Sequence, residues 1–319
     1  MNYTYEILKL EDLNELCSLI KIVFKRDSEY VINKTRWAFD NNHSCVMVAK
    51  HNGKIVASRG GFNWPLKYND NYINAIQFHG TSVHPDHRRR GLFSKLNLEY
   101  LKNARNNDID YIFNVSVKIS RLGYEKLGWK YLKGFHRLTY FNKPSRIINN
   151  KRDKSPTQRV KLDNSEKVEV INNSFLEARK TQFQNLVHTK YTRDFIEWRL
   201  NNSEENYKVF QKDGVYVIYK IIQTNNMKSL VLGEFFLMEN SRSLFRSTLK
   251  EIMKLERPDI TYTYISRNHP YFTHYLSSMF LPNPFNFNLN FGTRLISSDI
   301  DKDLSGKKWA TSYLDIDTF

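Results

Sequence analysis

Residues 81–96 read TSVHPDHRRRGLFSKL, and the fold turns on how this stretch is read. A β-branched run ends at Val83, a proline and a cluster of charges make a turn, and after Gly91 the apolar positions change period. Leu92, Leu96, Tyr100, Leu101 and Ala104 fall on one face of a helix over 91–106. The order is strand, turn, helix. A helix start presents N–H groups that have no partner inside the helix, and its dipole adds positive potential. Three arginines, Arg88, Arg89 and Arg90, stand beside it, and Gly91 lets a backbone approach an anion closely. A phosphate or pyrophosphate suits such a site. On spacing alone, a charged turn capping an ordinary helix stays open.

Working outward, 5–8 reads as a short strand, and Asp12 as the cap of a helix carrying Leu13, Leu16, Leu19, Ile20 and Phe24. Asn52-Gly53 between two apolar runs signals a hairpin of 45–49 with 54–58. A long strand is expected over 73–83, another strand over 111–117, and a short helix over 120–127. Residues 143–161, KPSRIINNKRDKSPTQRVK, read as an exposed basic linker, or else as an arm for an acidic partner. A weak repeat crosses that linker. Trp37 and Trp198 are each followed after sixteen residues by a turn glycine, in Asn52-Gly53 and Asp213-Gly214. The six residues from Tyr124 to Trp129 are echoed from Tyr275 to Phe280, with a helix (241–255) and a strand (260–265) ahead of the echo. The shared order argues for a duplicated domain. The expected division is 1–142, a basic linker 143–166, and 167–319.

Composition limits the class. The chain has 319 residues, 40% hydrophobic and 14% aromatic, with only 12 Gly and 8 Pro, which excludes disordered and fibrous proteins. Two cysteines, Cys17 and Cys45, cannot staple a chain this size or ligate a structural zinc alone. No run is long enough to span a bilayer, and the acidic N-terminal stretch does not resemble a secretory signal, so a cytoplasmic protein is expected. The net charge of +16 favours polyanions such as nucleic acid, anionic headgroups or a phosphate-rich cofactor, or is simply a lysine-rich solvated surface.

The segment from Val83 through Pro85 and Arg88 to Gly91 and Phe93 resembles motif A of the GNAT superfamily of acyl-CoA-dependent N-acyltransferases. Arg88 and Gly91 match its Arg-x-x-Gly core, and Phe93 stands where a small residue is usual. Tyr124-Glu-Lys-Leu-Gly-Trp129 resembles motif B. The resemblance is strong over about 1–140 and weaker over 167–319, where no Arg-x-x-Gly turn precedes the helix at 241–255. It implies an α/β fold (the α+β GNAT fold) of a mixed, mostly antiparallel sheet flanked by helices, with a degenerate second GNAT-like half. It further implies an N-acetyltransferase using acetyl-CoA or another acyl-CoA as co-substrate. The co-substrate would be held by Ser82, Val83, Arg88, Arg89, Arg90, Gly91, Leu92, Phe93 and Ser94, without a metal. The acceptor would be a small amine or an amino sugar, attacking the thioester directly.

The resemblance makes Tyr124 the expected general acid, the alternative being a packed aromatic. For the base, histone-acetylating relatives carry glutamate where this chain has Gln77, which takes no proton at neutral pH. His79 follows on the same strand face, as base or as a structural histidine. The carboxylate of Phe319, near Asp315 and Asp317, is a further candidate, the plain reading being a frayed polar tail. His84, His87, His269 and His274 lack metal-ligand spacing, and Cys45 reads as core. Trp37, Trp64, Trp129, Trp198 and Trp309 fill cores or line an acceptor cleft. Two other functions stay open: aminoacyl transfer from charged tRNA, which would use the positive charge, and a non-catalytic binding module. Acceptor, acyl length and oligomeric state are not encoded legibly.

Overall fold

The computed structural model describes residues 2–25, 28–39, 44–146, 159–160, 171–202, 204–224, 227–282, 289–299 and 302–316. They form two compact units. The first comprises Met1–Lys133, Asn201–Glu204 and Asn288–Lys307, and the second Gly134–Leu200, Glu205–Phe287 and Lys308–Phe319. The chain is mixed α/β, with mostly antiparallel sheets flanked by helices.

In the first unit the chain runs β1 (Thr4–Ile7), α1 (Leu13–Phe24), α2 (Ser28–Phe39), β2 (Ser44–His51), β3 (Lys54–Asn63), β4 (Leu66–Tyr68), β5 (Asn71–Ile73) and β6 (Ala75–Val83). It continues through α3 (Leu92–Asn106), β7 (Tyr111–Val117), α4 (Lys118–Lys126) and β8 (Lys130–Leu132). A late strand, Leu289–Leu295 (β17), completes a sheet of order β1-β2-β3-β6-β7-β17-β8. Alternation on β2 shows how both faces become core. Val46 and Val48 join Leu16 and Leu19 of α1, whereas Met47 and Ala49 join Leu92, Leu96 and Tyr100 of α3. Each large apolar side chain so buried contributes about 1.5–3 kcal/mol.

Two local expectations are corrected. Asp12 precedes α1 but does not cap it; its carboxylate pairs instead with Lys50 Nζ at 2.7 Å. The strand expected over 73–83 breaks at Asn74, whose carbonyl and amide are taken by Asp110. Ile73 therefore belongs to β5, and β6 starts at Ala75.

The second unit contains β9 (Phe135–Phe141), β10 (Arg159–Val160), α5 (Asn173–Gln182), β11 (His188–Thr189), α6 (Arg193–Leu200) and β12 (Tyr207–Lys212). There follow β13 (Val215–Thr224), β14 (Lys228–Leu237), α7 (Arg242–Glu256), β15 (Ile260–Ser266), α8 (Phe272–Ser277) and β16 (Leu281–Pro282). Its sheet order is β10-β13-β14-β15-β9-β16, with β12 beside β13.

The repeat has a physical counterpart in each unit. Asn52-Gly53 and Asp213-Gly214 both adopt positive φ, 50° and 76° in one hairpin and 45° and 76° in the other. The Trp129 amide donates to the Tyr124 carbonyl, and the Phe280 amide to the Tyr275 carbonyl, both at 3.1 Å. Gly128 and Met279 hold the left-handed position before them, at φ 78° and 68°. In each unit one pair of strands is parallel, β6 with β7 and β14 with β15, with the long helix between them in sequence.

The compact units do not follow the expected cut between consecutive halves. β9, expected with the first half, pairs with β15, and β17, expected with the second, lies between β7 and β8. The expected linker is also partly anchored. Lys143 and Arg146 pair with buried Asp259 at 3.1 and 3.2 Å, and Arg159–Val160 pair with β13. Residues 147–158 and 161–166 lie outside the described part.

Candidate functional site

The site grows from β6. Its start is clamped to β7: the Asp110 carboxylate accepts from the Asn74 amide at 3.0 Å and from Lys302 Nζ at 2.6 Å. Parallel pairing then covers only Ala75–Tyr111, Ile76–Ile112 and Gln77–Phe113. On its other edge β6 stays paired with β3 out to Val83. Among the described residues, no strand pairs with the β7-side edge of Phe78–Val83. The two central strands of this unit thus part after Gln77, leaving backbone donors and acceptors along one edge.

A bulge shapes the same stretch. The β3–β6 register shifts between Ser58 and Gly60, and Gly80 takes φ 52°. Ile76 and Phe78 point toward α3, and after the extra residue it is odd-numbered Val83 that packs on that cluster. The bulge therefore turns Ser82 away from α3. Ser82 Oγ and, on β7, Asn114 Oδ1 are buried without a hydrogen-bond partner among the described residues. Buried polar atoms of this kind call for a ligand or water.

Beyond Val83, a single 3-10 turn (Pro85–His87) leads to the arginines. Arg88 Nε donates to the Val83 carbonyl at 3.3 Å, and Arg90 donates to the Asp86 carbonyl at 3.2 Å. Arg89 and Gly91 have φ 60° and 75°. Gly91 is the N-cap of α3, which has no side-chain cap. A Cβ built on Gly91 meets nothing within 4 Å. Arg88, Arg89, Arg90, Gly91 and Ser94 are exposed, Leu92 is buried in the core, and Phe93 is half-buried. Leu92 and Phe93 thus anchor the helix start, whose first-turn amides have no side-chain cap.

Tyr124 is buried, 2% exposed, with its ring edge-on to Phe93 at 5.2 Å and 4.9 Å from Trp129. Beside it lies Arg59, a residue that sequence reading missed. This buried arginine places its guanidinium 4.0 Å from the Phe78 ring centre and 5.3 Å from that of Tyr124, and it donates to Thr81 Oγ1. A signal was available: Ser58-Arg59-Gly60-Gly61 puts a charge and two glycines inside an apolar strand, the pattern of a close approach to the backbone.

Gln77 and His79 share one face of β6. Gln77 is fully buried. His79 stacks on Phe62 with ring centres 3.8 Å apart and lies 3.4 Å from Ser44 Oγ. Gly60 makes room for it, since a Cβ there would strike the imidazole. Burial, reinforced by the charges of Arg59 and Lys34, pushes the His79 pKa down to about 3. The ring is therefore neutral at physiological pH and holds a proton poorly, which suits a structural histidine better than a base.

The C-terminal candidate divides. Phe319 and Asp317 lie outside the described residues. Asp315 is not part of a frayed tail: it is 1% exposed and accepts from Tyr191 Oη at 2.5 Å and from the Ser312 amide at 2.7 Å. Burial raises its pKa, and the nearby charge of Glu234 adds to this. It belongs to a buried second-unit network in which Glu234 meets Arg179 at 3.0 Å and His269 at 3.3 Å. His269 and His274 are thus core residues. All five tryptophans are buried too, so none of them lines an open cleft. Cys45 packs beside the α3 core, and burial raises its thiol pKa. Among the described residues, no group of three or more His, Cys, Asp or Glu could hold a metal ion, and no helix is long and apolar enough to cross a membrane.

The second unit lacks an equivalent anion loop. Only four residues, 238–241, separate β14 from α7, without an arginine among them. The Ser241 side chain accepts from the Leu244 amide at 3.3 Å, a cap that the start of α3 lacks.

Residues 4–132 match the family described as the acetyltransferase (GNAT) domain. No curated protein matches the chain in sequence. Among solved structures, a GCN5-related N-acetyltransferase from Anabaena variabilis superposes with TM-score 0.63 at 15% identity, over 93% of this chain and 73% of that one. The GCN5-related N-acetyltransferase from Kribbella flavida gives 0.62 at 13%, over 92% and 72%. Saccharomyces cerevisiae N-myristoyltransferase with bound myristoyl-CoA gives 0.57 at 10%, over 92% and 79%. At these identities the likeness is one of fold.

Proposed function

With residues 4–132 matching the GNAT acetyltransferase domain, we propose that this chain is an N-acyltransferase that moves an acetyl or short acyl group from acyl-CoA to a primary amine. The observation that carries the proposal is the β6–α3 connection, where Gly91, open on its Cα side, caps a helix start flanked by three arginines. The first-turn amides of 92–94 and Arg88–Arg90 would hold the pyrophosphate. The unpaired edge of β6 at Ser82 and Val83 would bond the pantetheine arm as a further strand would. The orphaned Ser82 Oγ and Asn114 Oδ1 fit a polar ligand there.

Chemistry on such a scaffold is mainly orientation of two substrates, followed by proton movement. The amine nitrogen attacks the thioester carbon, the C–S bond breaks, one proton leaves the nitrogen, and the thiolate takes one up. Tyr124 is the proposed proton donor to sulfur. Gln77 cannot accept the amine's proton, and His79 is too weakly basic to be the preferred acceptor. We therefore assign no side chain as base: the acceptor binds as a free amine or loses its proton to water. A small amine or an amino sugar is the proposed acceptor class, and the enzyme is proposed to act in the cytoplasm.

The missing base is also the observation that favours a second reading, a non-catalytic acyl-CoA-binding module. Isothermal titration with acetyl-CoA and with tRNA, followed by turnover on an amine panel, separates the possibilities. Acetyl-CoA binding with turnover supports the proposal. Binding without turnover favours the module, and binding of tRNA alone overturns both.

A further inference from the structure

We infer that His87, flanked by His51 and His84, forms a proton-linked phosphate subsite beside the arginine loop, taking a phosphate group of the bound nucleotide. The cluster is assembled from three places in the first unit. His51 ends β2, His84 and His87 lie in the β6–α3 connection, and Tyr3 precedes β1. The His87 ring centre is 5.3 Å from that of His51 and 5.9 Å from that of His84. Tyr3 Oη meets His87 Nδ1 at 3.0 Å, and its ring packs against His51 and His87 at 5.3 and 5.8 Å. His51 Nδ1 lies 2.9 Å from the Asn2 carbonyl, and His84 Nδ1 accepts from the Asp86 amide.

The groups that act on His87 are His51, Arg90 and His84, all cationic or able to become so, with the highly exposed Asp86 the one acid opposing them. Burial comes first and these charges next in holding its pKa below the usual value. Burial and these charges together make a proton on His87 unfavourable until an anion arrives. A phosphate group bound here reverses that balance, so the cluster takes up a proton as the ligand binds. The subsite adjoins Arg88–Arg90 in the chain, where the phosphates are proposed to lie.

The inference rests on the acyl-CoA reading, and the test separates the two. CoA and dephospho-CoA are titrated calorimetrically at pH 6, 7 and 8, in two non-phosphate buffers of different protonation enthalpy. The expected result is net proton uptake near neutral pH and affinity about three- to tenfold tighter at pH 6 than at pH 8. A phosphomonoester drawn to cations would itself release protons, so uptake reports His87. Uptake with both ligands puts the subsite on the pyrophosphate; uptake with CoA alone puts it on the 3′-phosphate. His87→Lys, with a fixed charge, should bind tightly at both extremes and lose the pH dependence. No uptake with either ligand overturns the subsite, as does uptake that persists in a folded His51→Gln/His87→Asn variant. If neither ligand binds at any pH, the acyl-CoA reading falls, and the subsite with it.

Discussion

Gly91 allows the cofactor assignment to be tested with one side chain. At φ 75° an L-residue is strained, by about 1–2 kcal/mol, but a Cβ meets nothing within 4 Å. The strain is therefore the main cost to the folded protein, and asparagine, which tolerates the left-handed region, reduces it. Gly91→Asn and Gly91→Asp then differ essentially in one charge. A carboxylate about 4 Å from a phosphate oxygen costs roughly 1 kcal/mol in water and about 4 kcal/mol at the effective dielectric of a protein surface. Gly91→Asp should therefore bind acetyl-CoA about five- to a thousandfold more weakly than Gly91→Asn, while the two melt within a few degrees of each other. The assay is calorimetric titration at low salt, repeated at high salt, where the gap should narrow. Equal affinities in the two variants would refute the placement of an anion at this helix start.

Arg88→Ala should weaken acetyl-CoA binding by about 1–3 kcal/mol through loss of a charge-assisted bond, and unchanged affinity would remove Arg88 from the site. Tyr124→Phe should fold and bind cofactor normally while turnover falls about 10²–10⁴-fold; a fully active variant ends its assignment as the acid. His79 should make stability fall on acidification. Its pKa is lowered from 6.5 to about 3 on folding, so the unfolded chain binds the extra proton between those values. Between pH 7 and pH 5 the wild type should lose about 2 kcal/mol more than His79→Gln, and parallel losses by denaturant titration would show that the ring is not held neutral. Titration should give one CoA per chain, because the start of α7 is closed by Ser241; two would contradict that.

The legible parts of this chain were those written locally. The β6–α3 turn, both Asn/Asp-Gly hairpins and the Tyr124–Trp129 turn each rest on residues adjacent in sequence, so period and turn chemistry revealed them. Even the imperfect echo at Tyr275–Phe280 was readable, though Met279 holds the strained position that Gly128 fills. What escaped depends on distant partners. Nothing near Asp12 announces that Lys50 will take its carboxylate away from the helix start. The placement of Arg59 needs the bulge opposite it, and the depressed pKa of His79 needs Phe62, Arg59 and Lys34 brought around it. The same holds for Asp315, polar in sequence but buried through Tyr191 and Ser312. Strand membership was hidden most fully, since pairing of β9 with β15 and of β17 with β7 leaves no local trace.

That last arrangement sets a timetable for synthesis. The sheet of the first unit holds a place between β7 and β8 for Leu289–Leu295, so it cannot close while only its own N-terminal stretch has left the ribosome. At ordinary translation rates the wait between residues 133 and 295 is roughly ten to thirty seconds. During it β7 is an open edge, able to pair with whatever strand comes by. A nascent chain of this protein is therefore most at risk of aggregation in mid-synthesis, after its arginine-rich turn has emerged and before the strand that seals the sheet exists.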